Sequence, residues 1–277
     1  MTTIRKAYDS TVILLKKKFD TDESNAILNS LFTDYFNITK KHFLLNENQE
    51  FERQNELDGI INRLLNNEPL QHIVGYAWFK KMKIKVNSDV LIPRPETEEL
   101  VNWIIEKNQS KAPKNIVDVC TGSGCIALSL ALYFKTSAII GTDISKSALK
   151  IAEENKTTNN LKNIDFITHD ILNETFNLCE PELVVSNPPY IIATEKEAIQ
   201  QNVLDYEPHL ALFVNHADAL LFYKKIVEQA AFKNSQFYFE LNPLTVQLLK
   251  DYCNEKHLKI ETKFDVYGKE RMACIER

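Results

Sequence analysis

The chain has no excess of positive charge: 33 Lys and Arg stand against 38 Asp and Glu, a net −5 over 277 residues. No global basic field is available to hold a nucleic-acid duplex, so a dedicated DNA binder is disfavoured and only a local patch remains open. Paired cysteines are also missing. Cys120, Cys125, Cys179, Cys253 and Cys274 are odd in number and contain no C-x-x-C. Neither a second pair nor a nearby His completes a site around Cys120 and Cys125, so no metal is expected. Such cysteines read as reduced thiols of a cytoplasmic protein. Long apolar runs are absent near the N-terminus, where Val12 to Leu15 is the longest. That is far short of a signal segment or a span, and no membrane partner is expected. Glycine is almost absent from the first 70 residues, and strand signals are absent there too.

What those 70 residues do carry is helical periodicity. Tyr8, Val12, Leu15 and Phe19 recur at spacings of three and four, and Thr21 or Asp22 is placed to cap a second helix through Phe36. A third holds Phe51, Leu57, Ile60, Ile61, Leu64 and Leu65. Amphipathic stripes of this period predict an all-helical domain over 1–70. Its lysine runs are offset by acids and read as solvated faces. Over 71–92 Met82, Ile84 and Val86 alternate with lysines ahead of an Asn87-Ser88-Asp89 turn, a β-hairpin linker. The prolines of Leu91 to Glu98 hold an extended piece, and Thr97 or Glu96 then starts a helix. Arg94 reads equally as part of a linker and as part of a hinge toward a pocket.

From 93 to 277 the pattern becomes α/β. Strands at Ile116–Val119, Ala138–Asp143, Asn163–Thr168, Leu183–Ser186, Gln236–Glu240, Leu258–Thr262 and Met272–Ile275 alternate with helices, one of them from about Ala217 to Ala231. Seven strands in this alternation predict a doubly wound, mostly parallel, Rossmann-like sheet. Its ligands belong at the strands' carboxyl ends.

Two loops there carry chemistry. Gly122-Ser123-Gly124-Cys125-Ile126-Ala127 is a G-x-G-x-x-A turn between strand and helix, and Asp143 closes the next strand about 20 residues on. The pair suits a dinucleotide or S-adenosylmethionine. Asp118 inside the first strand suits the ammonium of a bound methionine, and Asp170 at the end of the third would accept from an adenine amino group. Asp170 also reads as a helix cap for Leu172 onward. His169 beside it reads first as a strand-end histidine, with a base as the alternative. The second loop, Asn187-Pro188-Pro189-Tyr190, follows a strand that the prolines must end. It offers an amide, rigid carbonyls and an aromatic face to a flat nitrogen group. Readings from other classes stay open here: an amino-methyltransferase of DNA or ribosomal RNA, and a noncatalytic nucleotide-binding module.

Asp118-Val119-Cys120-Thr121-Gly122-Ser123-Gly124, Asp143 and Asn187-Pro188-Pro189-Tyr190 resemble the motifs of class I methyltransferases of amino-type nitrogens. Ile92-Pro93-Arg94-Pro95-Glu96-Thr97-Glu98, Gln71 to Gly75, Glu207-Pro208 with Leu210 to Leu212, and Tyr267 to Arg271 are similar to the HemK/PrmC family of protein-(glutamine-N5) methyltransferases. The resemblance implies S-adenosyl-L-methionine as cofactor, held by Asp118, Cys120, Thr121, Gly122, Ser123, Gly124, Asp143, Ile144, Asp170, Ile171 and Asn187. It implies the glutamine of the Gly-Gly-Gln motif in class 1 peptide chain release factors as substrate, gripped by Asn187, Pro188, Pro189 and Tyr190. A macromolecular substrate needs more surface than one glutamine, which makes the N-terminal helices the expected recognition domain. Two positions depart from the family pattern. Cys120 stands where glycine is usual, so the turn is expected to use ordinary dihedrals there. Asn242 also replaces a more typical glycine, at a position expected to lie away from the chemistry.

Overall fold

The computed structural model describes residues 1–192, 195, 201–214 and 218–277. It divides into two compact units, Met1–Gly75 and Tyr76–Arg277.

In the first unit the apolar stripes become α1 (Ile4–Leu15), α2 (Thr21–Asn29) continued by a π-turn over Ser30–Tyr35, α3 (Lys40–Asn46), α4 (Gln54–Leu65) and α5 (Leu70–Val74). Leu15, Leu28, Leu31, Leu57, Ile61 and Leu64 close its core. Asp20, rather than Thr21 or Asp22, caps α2, its side chain accepting from the Glu23 N–H. Helices α3 and α5 are additions to the sequence reading. Neither buries a residue fully, so neither writes an apolar stripe.

The second unit begins with a hairpin, β1 (Tyr76–Phe79) and β2 (Met82–Lys85). Its two-residue turn is Lys80-Lys81, with φ of 48° and 66°, and not Asn87 to Asp89. Both turn residues are left-handed, the geometry that matches strand twist. Phe79, Met82, Ile84 and Val86 are buried in one cluster with Leu100, Ile126, Leu128 and Ile151. The hairpin therefore shares the core of the following α/β layers, and the first unit ends at Gly75.

Helix α6 (Pro95–Asn108) starts with Arg94 as its cap residue and proline at its first position. Proline's fixed φ suits that position, which displaces the expected start at Glu96 or Thr97. Then follow β3 (Asn115–Val119), α7 (Cys125–Tyr133), β4 (Ala138–Asp143), α8 (Lys146–Thr158), β5 (Ile164–Thr168) and β6 (Leu183–Ser186). Beyond them lie α9 (Gln201–Tyr206), α10 (His209–Leu212), α11 (Leu221–Val227), β7 (Gln236–Glu240), α12 (Val246–Glu255), β8 (Lys259–Phe264) and β9 (Glu270–Glu276). The helix expected from about Ala217 is α11, followed by a short 3-10 turn at Ala230–Phe232; Ala217 itself lies outside the described residues.

Among the described residues the main sheet has seven strands in the order β5-β4-β3-β6-β7-β9-β8, with β9 antiparallel to both neighbours. The chain leaves β3 toward β4 on one side and returns to β6 on the other. That reversal opens a crevice at the carboxyl ends of β3 and β6, where open α/β sheets take their ligands.

Candidate active site

A cleft lies at that reversal. Its wall includes Cys120, Thr121, Gly122 and Ser123 after β3, Asp143 and Ile144 after β4, Asp170 and Ile171 after β5, and Asn187 and Pro189 after β6. Leu91, Pro93, Arg94 and Thr97 close a further side.

Asp118, Gly124, Pro188 and Tyr190, expected at the site, are not on this wall. Asp118 is fully buried beneath the turn. Its Oδ2 accepts from Thr121 Oγ1 at 2.6 Å and from the Ala127 N–H at 3.1 Å, fixing both ends of the glycine loop. Its Oδ1 has no partner. Burial pushes its carboxyl up to about 7, against the pull of those two hydrogen bonds. An unsatisfied anion behind the turn is what a bound ammonium would complete. Gly124 begins α7 at φ 81°, and a Cβ there would stand 2.9 Å from the Phe166 ring. Glycine thus serves both the left-handed backbone and the helix–sheet packing.

Cys120 is also left-handed, at φ 60°. The turn keeps the conformation that glycine would favour and places a side chain in it, contrary to the expectation of ordinary dihedrals. The local cost is roughly 1 kcal/mol. Burial holds its thiol well above the usual range, with Asp143 and Asp118 adding to the effect.

Asp143 spans the two loops. Its Oδ2 accepts from the Gly122 N–H and its Oδ1 from the Ser145 N–H, both at 2.9 Å. Each oxygen keeps a lone pair, so the carboxylate remains able to receive ribose hydroxyls. Burial raises its pKa. Asp170 caps its own turn, accepting from the Leu172 N–H at 3.0 Å and from Asn173 Nδ2 at 2.8 Å. That is the capping role the sequence offered, on a turn instead of a helix. His169 is 9% exposed, edge-on to Phe176, and neither ring nitrogen has a partner.

Around Asn187 the structure adds residues that sequence reasoning missed. Asn187 Nδ2 donates to Thr97 Oγ1 at 3.3 Å, and Thr97 Oγ1 donates to Glu240 Oε2 at 2.6 Å. Tyr190 Oη donates to Glu240 Oε1 at 3.2 Å. Tyr190 is therefore turned toward the end of β7, and its ring packs against the apolar layer that holds Val119 and Tyr223. Glu240 is 1% exposed, and burial raises its pKa against the pull of Thr97 and Arg271. Asn242 does bear on the loop: its Nδ2 donates to the Tyr190 carbonyl at 3.2 Å and to Glu195 at 2.8 Å. Glu207 accepts from Arg94 at 2.5 Å and from the Ile92 N–H at 3.2 Å, tying down the Pro93–Pro95 stretch. Arg94, Thr97 and Glu207 lay in stretches that resemble the family, Asn242 departed from its pattern, and Glu240 showed only as a charge ending an apolar strand.

The chain matches the family model described as PrmC N-terminal domain over residues 7–75 and that described as Methyltransferase small domain over residues 97–211. The release factor glutamine methyltransferase of Flavobacterium psychrophilum is 44% identical over 226 residues, 78% of either chain. The protein of the same name from Streptococcus pneumoniae is 35% identical, across 91% of this chain and 88% of its own. This chain belongs to the release factor glutamine methyltransferase family. Among solved structures, the catalytic domain of hMettl16 in complex with an RNA hairpin aligns over 70% of this chain and 75% of its own, with a TM-score of 0.58 and 15% identity. That likeness speaks for the fold alone. Within the family fold, the methyltransferase match spans Thr97, the glycine turn, Asp143, Asp170 and Asn187, and ends short of Glu240.

S-Adenosyl-L-methionine fits these residues. Asp118 Oδ1, buried without a partner, and the free lone pairs of Asp143 are acceptors that its ammonium and ribose hydroxyls would complete.

Proposed function

We propose that this protein methylates the side-chain amide nitrogen of the glutamine in the Gly-Gly-Gln motif of class 1 peptide chain release factors, with S-adenosyl-L-methionine as methyl donor. It thereby modulates translation termination in the cytoplasm. The observation that carries the reading is Asn187, which stands on the cleft wall with its Nδ2 engaged by Thr97. Its carbonyl oxygen is left to accept from a substrate NH2. An amide nitrogen is a poor nucleophile because its lone pair is shared with the carbonyl. Asn187 Oδ1 would accept from one N–H of the amide, aim the nitrogen at the methyl carbon and favour the positive charge growing there. The sulfonium supplies an already activated carbon. With the donor bound, Asn187 would hold the amide nitrogen while its new bond to carbon replaces the carbon–sulfur bond, a neutral thioether being released and the amide proton passing to water.

The buried flank of Asn187-Pro188-Pro189-Tyr190 supports the aim of that grip. Pro188 and Pro189 are buried, Tyr190 is anchored by Glu240, and its carbonyl is held by Asn242. The tyrosine thus stiffens the loop from behind. The N-terminal unit supplies contact surface for the release factor. The net charge of −5 gives a nucleic-acid substrate no support.

The decisive assay offers purified release factor, DNA and ribosomal RNA side by side with labelled S-adenosyl-L-methionine. Label is expected in release factor and is lost when the motif glutamine is replaced. Asn187→Ala is expected to lower turnover by about 100-fold or more while leaving cofactor affinity within about threefold. Label in nucleic acid alone would reject the reading.

A further inference from the structure

Asn187 has two ends that differ only in what they can donate, and the reaction needs the accepting end toward the substrate. The side chain by itself has no means of choosing. An amide rotated by half a turn would point its NH2 at the substrate's NH2, two donors facing each other.

The choice is made by atoms outside the cleft loops. Glu240 closes β7 at 1% exposure, and each of its oxygens receives one hydroxyl, Thr97 on Oε2 at 2.6 Å and Tyr190 on Oε1 at 3.2 Å. A carboxylate only accepts. Thr97, 2% exposed on the first turn of α6, has a single hydroxyl proton, and that proton is committed to Glu240. Toward Asn187, 3.3 Å away, Thr97 has only lone pairs to offer. The atom of Asn187 facing it must therefore be the NH2, which leaves the carbonyl for the cleft. Burial raises the pKa of Glu240, while the Thr97 hydroxyl, Arg271 and the Tyr190 hydroxyl pull toward its charged form; the Tyr223 hydroxyl donates to the Glu240 backbone carbonyl at 3.1 Å, pinning the strand end.

We propose that Thr97 is a positioning residue for methyl transfer: held by Glu240 as an obligate acceptor toward Asn187, it sets the rotation of the Asn187 amide and so presents an oxygen to the substrate amide. This rests on the assignment of Asn187 to the substrate nitrogen. Helix α6, β6 and β7 are thereby joined through a chain of three side chains, separated in sequence by 90 and 143 residues.

Thr97→Val keeps the shape and removes the hydroxyl, whereas Thr97→Ser keeps the hydroxyl. With release factor as substrate, Thr97→Val is expected to lower kcat by about tenfold or more, as loss of an aiming contact does. Cofactor affinity by calorimetry should stay within about twofold, and Thr97→Ser should return kcat to within about threefold of the parent. In an Asn187→Ala background the valine substitution should change kcat by less than about twofold, because the residue it acts through is gone. Glu240→Ala, checked for folding by its melting curve, should likewise slow the parent but add less than about twofold to Thr97→Val. A valine effect of equal size with and without Asn187, or no effect on the parent, would overturn the proposal. Failure of the parent protein to methylate release factor would instead overturn the functional reading, and normal turnover by Asn187→Ala would overturn the role of Asn187.

Discussion

Asp118 shows how one atom couples folding to ligand binding. Both donors it receives go to Oδ2, while Oδ1 is buried alone, and its pKa is raised to about 7. A carboxyl whose folded pKa lies above its unfolded value favours folding at low pH and loses that contribution as pH rises through the folded value. The window here runs from about pH 4 to about pH 7, and three pKa units bound the effect at about 4 kcal/mol. Denaturant unfolding at pH 5 and pH 8, without ligand, should therefore show the parent losing about 2–3 kcal/mol more than Asp118→Asn across that interval. Equal losses would mean that Asp118 is ionised throughout. A bound ammonium would reverse the preference and expel the proton, so parent affinity for S-adenosyl-L-methionine should tighten between pH 6 and pH 8 while that of Asp118→Asn stays flat. Cys120 makes a related point. Its residue type argued for ordinary dihedrals, but the loop's hydrogen bonds outweigh a backbone cost of roughly 1 kcal/mol. Residue-level preference is a weak force beside a buried network.

At the scale of elements, Asn155 ties three pieces together. It is fully buried on α8; its Oδ1 accepts from the Lys85 N–H at 2.6 Å, and its Nδ2 donates to the Lys85 carbonyl at 3.1 Å and the Ser123 carbonyl at 3.0 Å. The hairpin strand β2 and the glycine turn are thus fixed to one side chain. Asn155→Leu leaves one buried and two part-buried backbone groups without this partner, and an unsatisfied buried group costs about 1–3 kcal/mol, so a loss of about 2 kcal/mol or more in denaturant unfolding is expected. Cofactor affinity should weaken too, because Ser123 belongs to the turn. Lys85→Ala removes only an exposed ion pair with Glu154 and should cost under about 1 kcal/mol. A small loss for Asn155→Leu would show that the hairpin is held by its apolar face alone. These ties also explain what the sequence revealed. The central sheet strands were legible because they are short apolar runs bounded by turn residues, the edge strand β8 by alternation alone, and the strand-end acids because strand ends carry ligands. Helix α3 was not, having no buried face, and the Lys80-Lys81 turn lacks the usual Gly or Asn. Pairs such as Thr97 with Glu240, or Arg94 with Glu207, join residues more than 100 positions apart. No local pattern announces them.

At the scale of the whole molecule the chemistry and the first 75 residues separate. Every residue on the cleft wall lies between Asp89 and Phe222, and both apolar clusters that flank the main sheet are drawn from the second unit. Met1–Gly75 has its own core of Leu15, Leu28, Leu31, Leu57 and Leu64 and contributes nothing to that wall. Cofactor binding is therefore expected to need only Tyr76–Arg277, whereas a protein substrate demands an area of about 800 Å² per partner, far beyond one glutamine side chain. A chain reduced to Tyr76–Arg277 should bind S-adenosyl-L-methionine within about threefold of the parent affinity by calorimetry. Its kcat/KM for release factor should fall by about 100-fold, equivalent to about 3 kcal/mol of lost contact. The loss should sit chiefly in KM, because the aiming of the amide by Thr97 and Asn187 is intact. A reduced chain that fails to bind cofactor would show that the second unit depends on the first for its fold. One that methylates release factor at the parent's kcat/KM would remove the N-terminal helices from substrate recognition.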